Sequence, residues 1–199
     1  MRFLWIDVET TGLEVSDSAP FQIAFILVDN GKFINAELFF LNPLSETIKY
    51  HEEAGKIHGY SEEQIRSFEP ESVQVQTIAA YLDRCRFLRK GPYINSERMV
   101  IAGYNVGFDI KHLTALMERN GFDMDTYFTG ETADVYEQVK QAGIQKVLPY
   151  LPNRKLPTVA KHLGIELENA HDALADITAT RGVALKLHKM GVKLHLFKY

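Results

Sequence analysis

The chain has 199 residues, of which 46% are apolar and 24% charged, the make-up of one soluble globular domain rather than a disordered or fibrous chain. Its formal net charge of −4 excludes a broad basic surface for nucleic acid, so any contact with a polyanion has to be local or carried by bound metal. Cys85, the only cysteine, excludes an intramolecular disulfide and a thiolate metal site; no segment approaches a membrane span, and the N-terminal apolar run is too short for a signal peptide, so a cytoplasmic enzyme or binding domain is expected.

Residues 2–10, Arg-Phe-Leu-Trp-Ile-Asp-Val-Glu-Thr, read as a strand. Alternation puts Leu4, Ile6 and Val8 on one face and Phe3, Trp5, Asp7 and Glu9 on the other. Both faces begin apolar, the pattern of a strand in the middle of a sheet. Asp7 and Glu9 then stand side by side at its C-terminal end. Two carboxylates at that spacing repel, and burying them costs several kcal/mol each without compensation. A hard divalent cation compensates them; the alternative is a strand that surfaces at Asp7. Thr10-Thr11-Gly12-Leu13 follows as a turn whose amides and hydroxyls are placed to meet a phosphate or sugar, or as an ordinary loop. Residues 21–28 form a second strand, Asp29-Asn30-Gly31 a hairpin turn, and residues 33–41 a third strand. The chain thus begins as an antiparallel meander.

A short helix covers residues 50–57, closed by His58-Gly59. His58 reads as part of that cap or as a substrate contact. Ser61-Glu62-Glu63-Gln64 has the form of a capping box. A longer helix, 72–84, carries Val73, Ile78, Tyr81 and Leu82 at helical spacing. The basic stretch Arg86–Arg98 reads as a solvated loop, with guidance of a nucleic-acid strand as the alternative. Residues 99–103 form a buried strand. Tyr104-Asn105-Val106-Gly107-Phe108 then turns into a helix running to Asn120. Asp109 lies in that helix's first turn, where the helix dipole alone favours an acid. A strand-to-helix junction beside a central strand is also where α/β sheets collect ligands. A strand over 131–135, a helix over 136–142, a proline-marked loop through Arg154 and a short helix over 158–163 follow.

The last helix is expected from near Asn169 to Met190. Asp172 and Asp176 lie one turn apart, with Asp176 among Ala173, Ala179 and Thr180, an inward position that calls for a cation or donors. His171 stands at the helix start, within reach of that site from the preceding turn. The tail Lys193-Leu194-His195-Leu196-Phe197 alternates. It reads as a terminal strand on the protein's own sheet, or as a docking peptide like those that bind the bacterial sliding clamp, with Lys193 where glutamine is usual. The division expected is a domain over 1–190 and a tail over 191–199.

Asp7-x-Glu9-Thr10-Thr11-Gly12, then Asn105-x-x-Phe108-Asp109, then His171-x-x-x-x-Asp176, in that order across nearly the whole chain, resembles the DEDDh class of 3′→5′ exonucleases, which includes the proofreading subunits of bacterial replicative polymerases. Ile57-His58-Gly59 resembles that family's pattern between the first two motifs. The resemblance implies an α/β, ribonuclease H-like fold: a mixed sheet, three antiparallel strands first and then parallel ones, flanked by helices. It implies that Asp7, Glu9, Asp109 and Asp176 hold two divalent ions, Mg²⁺ or Mn²⁺, for phosphodiester hydrolysis, with His171 as general base. It places Thr10 and Leu13 against the terminal nucleotide and His58, Asn105 and Phe108 around its pocket. The substrate implied is nucleic acid with a free 3′ end, DNA ahead of RNA, with a polymerase or sliding clamp as a partner through the tail. An exoribonuclease and a catalytically inactive binding module are the alternatives. Asp172 stays outside the ligand set, and Arg86–Arg98 looks like an insertion before the second motif.

Overall fold

The computed structural model describes residues 1–90, 93–167 and 170–198. Strand β1 (Arg2–Thr10) runs antiparallel to β2 (Pro20–Asp29), and β2 antiparallel to β3 (Lys32–Phe40). Asn30 and Gly31 link β2 to β3 with φ of 50° and 78°, the left-handed pair that a tight hairpin needs. On the other side β1 runs parallel to β6 (Met99–Gly103), and β6 parallel to β7 (Phe128–Asp134). The expected mixed sheet is therefore present. Its order is β3-β2-β1-β6-β7-β8, in which β8 (Leu196–Lys198) adds a sixth, antiparallel strand beside β7.

Helices cover both faces, as the two apolar faces of β1 require. Leu4, Ile6 and Val8 join Ile23, Phe25 and Leu27 of β2 in one core, under α3 (Glu71–Arg86) and α4 (Gly107–Arg119). Trp5 joins Ala24, Ile26, Val100 and Ala102 in the other, under α5 (Val135–Ile144), α6 (Leu156–His162) and α7 (Ala173–Lys189). Two short helices, α1 (Glu52–His58) and α2 (Glu62–Arg66), follow β3; α2 has the expected capping box, Ser61 with Gln64. Among the described residues no helix is long and apolar enough to cross a membrane.

Four expectations need correction. Val73 is exposed; the buried stripe of α3 is Val75, Ile78, Ala79 and Leu82, an i, i+3, i+4, i+7 set that leaves Val73 on the solvent side. The stretch Arg86–Arg98 is a hairpin rather than a loop: β4 (Phe87–Lys90) pairs antiparallel with β5 (Tyr93–Ser96), and Gly91-Pro92 between them lies outside the described residues. The hairpin's base is tied to the sheet by Arg2, which is fully buried. Its Nη1 donates to the carbonyls of Cys85 at 3.0 Å and Arg86 at 2.6 Å, and Asp29 and Glu97 flank it at 3.6 and 4.0 Å. α7 begins at Ala173, not near Asn169, which also falls outside the described residues. Its N-cap is Asp172, whose side chain accepts the Ala175 N–H, while His171 has a left-handed φ of 71° that no helix interior holds. β7 starts at Phe128, earlier than expected, and runs straight into α5.

Of the two readings of the tail, the terminal strand is the one the fold contains: Ala133, Thr132 and Glu131 of β7 pair with Leu196, Phe197 and Lys198. Upstream of β8, Val192 is buried, and its carbonyl accepts from Gln138 Nε2 at 2.8 Å. Deleting residues 192–199 removes an apolar side chain and takes from that buried amide the shorter of its two hydrogen bonds, leaving only the Ala184 carbonyl at 3.4 Å, a loss of about 3 kcal/mol. The truncated protein is expected to melt roughly 6 to 12 °C below the full chain; calorimetry of both proteins checks this, and equal melting temperatures contradict it.

Candidate active site

The site forms where β1 and β6 part. Their last paired residues are Trp5 and Ala102, after which β6 ends at Gly103 and the chain turns into α4. A Cβ on Gly103 would lie 2.9 Å from the Ile6 carbonyl and 2.7 Å from Val106, so only glycine lets the junction sit this close to β1. The parting leaves the Val8 N–H without a β6 partner, and Asp109 takes it: Oδ1 accepts at 3.0 Å. One carboxylate from the first turn of α4 is thereby held beside Asp7 and Glu9. The turn before α4 is held from the other side. Asn105, at φ 55°, donates its N–H to Asp134 Oδ1 at 2.8 Å, and the same oxygen accepts the Tyr136 N–H at 2.9 Å.

The fourth carboxylate comes from α7, and a buried amide places it. Gln22, fully buried in β2, donates from Nε2 to Asp172 Oδ2 at 3.0 Å and accepts the Ala173 N–H on Oε1 at 3.1 Å. This pair of hydrogen bonds docks the N-terminus of α7 on the sheet. Asp172 is thus the N-cap of α7. Asp176, one turn on, faces β1, and its Oδ2 accepts the His171 N–H at 3.3 Å. One ligand atom each of Glu9, His171 and Asp176 lies within 4.8 Å of the others. His171 itself is exposed.

Burial, then the charges of Asp109, Asp176 and Glu9, raise the Asp7 carboxyl well above the usual range. Burial, then Asp176, Asp109 and Asp172, push Glu9 up to about 8. Burial pushes Asp109 up to about 8 against the Val8 hydrogen bond, which favours its charge, and burial also raises Asp176. Among the described residues no lysine or arginine enters this balance. Asp176 Oδ1 is buried without a hydrogen-bond partner. A cluster of oxygen donors, acidic and uncompensated, with one orphaned oxygen, is the donor set that hard divalent cations fit.

Beside the cluster a groove of about 570 Å³ is lined by Glu9, Thr10, Leu13, His58 and Phe108, among others. Thr10 Oγ1 donates to the Gly12 carbonyl at 2.5 Å and Thr11 Oγ1 accepts the Ala19 N–H at 3.1 Å. This tight turn presents Leu13 to solvent at 75% exposure. His58 lines the groove and also closes α1: its Nδ1 accepts the Tyr60 N–H at 3.1 Å, while Nε2 is buried and unpartnered. Burial, with His171 nearby, lowers its pKa to about 4, so it is neutral near pH 7. Phe108 is seated on His112 with ring centroids 4.4 Å apart. The structure does not bring Asn105 into this groove; it is exposed at the junction. Sequence reading passed over Asp134, Gln22 and His112. Asp134 carried a signal, an aspartate ahead of the Val135-Tyr136 helix start, where an N-cap is favoured. Gln22 and His112 carried none.

An exonuclease family model, RNase_T, matches residues 4–183. Similar proteins include the PolC-type DNA polymerase III of Lacticaseibacillus paracasei, 28% identical over 201 residues that cover 98% of this chain and 12% of that protein. That of Listeria monocytogenes is 23% identical over 192 residues, 95% of this chain and 11% of that protein. The chain therefore spans only a small part of these relatives. Among solved structures, exonuclease I superimposes with a TM-score of 0.76 at 27% identity, over 94% of this chain and 40% of that one. Escherichia coli exonuclease I bound to a dT13 oligonucleotide gives 0.74 at 26%, over 94% and 41%, and its zinc-bound form with single-stranded DNA gives 0.76 at 25%, over 96% and 40%. With the three motifs gathered at the C-terminal end of the central strand β1, these matches lead to one conclusion: the chain belongs to the RNase_T exonuclease family, in the DEDDh class of 3′→5′ exonucleases with a ribonuclease H-like fold.

Proposed function

We propose that the protein removes nucleoside 5′-monophosphates one at a time from the 3′ end of single-stranded nucleic acid, DNA ahead of RNA, in a divalent-metal-dependent hydrolysis. The observation that carries this reading is the convergence of Asp7, Glu9, Asp109 and Asp176 from three elements, with His171 beside Asp176 but no lysine or arginine among the described residues entering their balance. Support for DNA comes from the relatives, which are DNA polymerases, and from exonuclease I bound to DNA. The four carboxylates would hold two Mg²⁺ or Mn²⁺ ions, which when bound supply activation of water and neutralise charge on the phosphate and the leaving 3′-oxygen.

The chain's own residues account for the rest. Leu13, Thr10, His58 and Phe108 seat the terminal nucleotide in the groove, with His58 neutral and able to hydrogen-bond through Nε2. The seating holds the last phosphodiester against the carboxylates. Water attacks phosphorus, the bond from phosphorus to the 3′-oxygen breaks, and the nucleotide leaves with its 5′-phosphate. His171, exposed at the mouth within reach of Glu9 and Asp176, takes the proton that the attacking water loses. Matched 5′-labelled single-stranded DNA and RNA, incubated with Mg²⁺ and with EDTA, test the reading directly. Loss of 3′ nucleotides that requires metal supports it, faster loss from DNA supports the substrate order, and EDTA-resistant or absent cleavage rejects it.

Asp7→Ala and Asp176→Ala are each expected to abolish hydrolysis while the protein still folds, because removing one member of a repulsive cluster relieves the others. Single-turnover assays and circular dichroism check this, and near-normal cleavage by either variant rules out the ligand set. His171→Ala is expected to lose roughly 10²- to 10⁴-fold in kcat, the usual share of a general base, with metal and nucleotide binding retained. The rising limb of the pH–rate profile at saturating Mg²⁺ should change in the variant; unchanged turnover leaves His171 only a turn residue.

The raised carboxyls also couple stability to pH. Their folded pKa values, about 8 for Glu9 and Asp109, lie above the unfolded values near 4, so the folded protein holds more protons in between. Stability is then present at low pH and lost as pH rises toward 8. His58 and His112, both lowered by burial, act in the opposite sense below about 6.5, so the clean window is pH 6.5 to 8. In EDTA the melting temperature should fall across that window, less steeply in Asp7→Asn, and Mg²⁺ should remove most of the fall. A flat profile in EDTA contradicts it.

A further inference from the structure

Charge is unevenly spread along this acidic chain. Between Glu137 and Glu166 the sequence carries Lys140, Lys146, Arg154, Lys155 and Lys161 and no acidic residue. Lys140 is engaged with Glu137 at 2.7 Å. The segment between α5 and α6 folds over α5 to make a second cleft, of about 530 Å³, whose lining includes Tyr136, Lys146, Tyr150 and Arg154. Tyr150 is 95% exposed, so its ring is open to a stacking partner.

The cleft is joined to the candidate active site. The Tyr104 hydroxyl donates to the Arg154 carbonyl, and the Tyr104 ring meets Tyr136 edge-on at 5.9 Å between centroids. Tyr104 precedes Asn105 in the turn that carries Asp109. In the strand order β1-β6-β7 the cleft lies on the β7 side of the carboxylates, since its lining starts at Tyr136 in the first turn of α5, directly after β7. The opposite side of the cluster is acidic: the groove rim there carries Glu14, Asp17, Glu52 and Glu53, of which Glu53 is paired with Lys56. A strand whose terminal nucleotide fills that groove carries its remaining phosphates more favourably toward the basic cleft than back over the acidic rim.

We infer that the cleft between α5 and the 146–154 segment is a second nucleic-acid subsite, which holds the nucleotides upstream of the scissile bond. Tyr150 offers a stacking face, and Lys146 and Arg154 offer phosphate contacts, the combination that tracks single strands without reading sequence. This rests on the exonuclease reading above. It assigns length dependence to the cleft and chemistry to the carboxylates, so the two can fail separately.

The test uses the triple variant Lys146→Ala, Tyr150→Ala, Arg154→Ala. Binding of fluorescein-labelled oligothymidylate and oligouridylate, as dinucleotides and 12-mers, is read by anisotropy in EDTA. Hydrolysis of the p-nitrophenyl ester of thymidine 5′-monophosphate is read with Mg²⁺. The ester's kcat/KM and the dinucleotide Kd are expected to stay within about twofold of the parent, while the 12-mer Kd rises about 10- to 100-fold. The slope of log Kd against log salt should drop by about 1.4, some 0.7 for each lost phosphate contact. The oligothymidylate and oligouridylate arms show whether the cleft takes DNA, RNA or both. A 12-mer Kd equal to the parent's overturns the proposal, as does an equal rise for dinucleotide and 12-mer. Failure of the parent itself to cleave the ester counts against the carboxylate assignment, and the anisotropy arm still decides the cleft.

Discussion

Mutual repulsion among Asp7, Glu9, Asp109 and Asp176 is the constraint that the surrounding structure answers. Left to relax, four partly buried carboxylates would move apart or take up protons, and their raised pKa values show the second tendency. The fold prevents the first by fixing each source rigidly. Asp7 and Glu9 are on a strand paired on both sides up to Trp5 and on one side beyond it. Asp109 is pinned through the Val8 amide. Asp176 is pinned through a helix start that Gln22 clamps at two atoms. The energy stored in the cluster is what makes it a good receptor for cations.

The same anchors explain why polar side chains are buried in an otherwise apolar sheet. Gln22 lies within a strand whose every residue is buried. Its amide offers one donor and one acceptor to two groups of the α7 start, so neither it nor they are left unsatisfied. Asp134 serves the β6–α4 turn in the same way, one oxygen for two backbone amides. His112, between Ser18 Oγ and the Phe108 carbonyl at 3.3 Å each, backs the groove wall that Phe108 provides.

Much of this was legible in residue order. The two apolar faces of β1, the Asp-x-Glu at its end, the left-handed turn at Asn30-Gly31 and the Ser61 capping box are all local patterns, and local patterns set local structure. The convergence of the three motif segments was legible only through resemblance, since spacing does not show which strand ends meet. What stayed hidden is long-range: Gln22 acts on residues about 150 positions away, and a glutamine in an apolar strand looks like an interruption. The hairpin after α3 was hidden for a related reason. Its basic side chains read as solvent-loving, while its attachment depends on Arg2, at the far end of the chain in sequence. The position of the α7 start was misjudged because alanine-rich sequence continues the helical pattern past the residue that caps it. The tail's alternation fits a strand, but its pairing with β7 depends on long-range packing that alternation does not encode.

The bonds that assemble the cluster span 101 residues between Val8 and Asp109 and 151 between Gln22 and Ala173. Contacts of such separation form late, after the intervening loops have closed. During synthesis the segment that carries His171 and Asp176 leaves the ribosome last among the motifs. A nascent or misfolded chain can therefore hold the first strand, and even the second motif, without a complete set of charges at one place. The topology itself is a safeguard: the cluster is complete only once the segment through Asp176 is made and folded against the first strands.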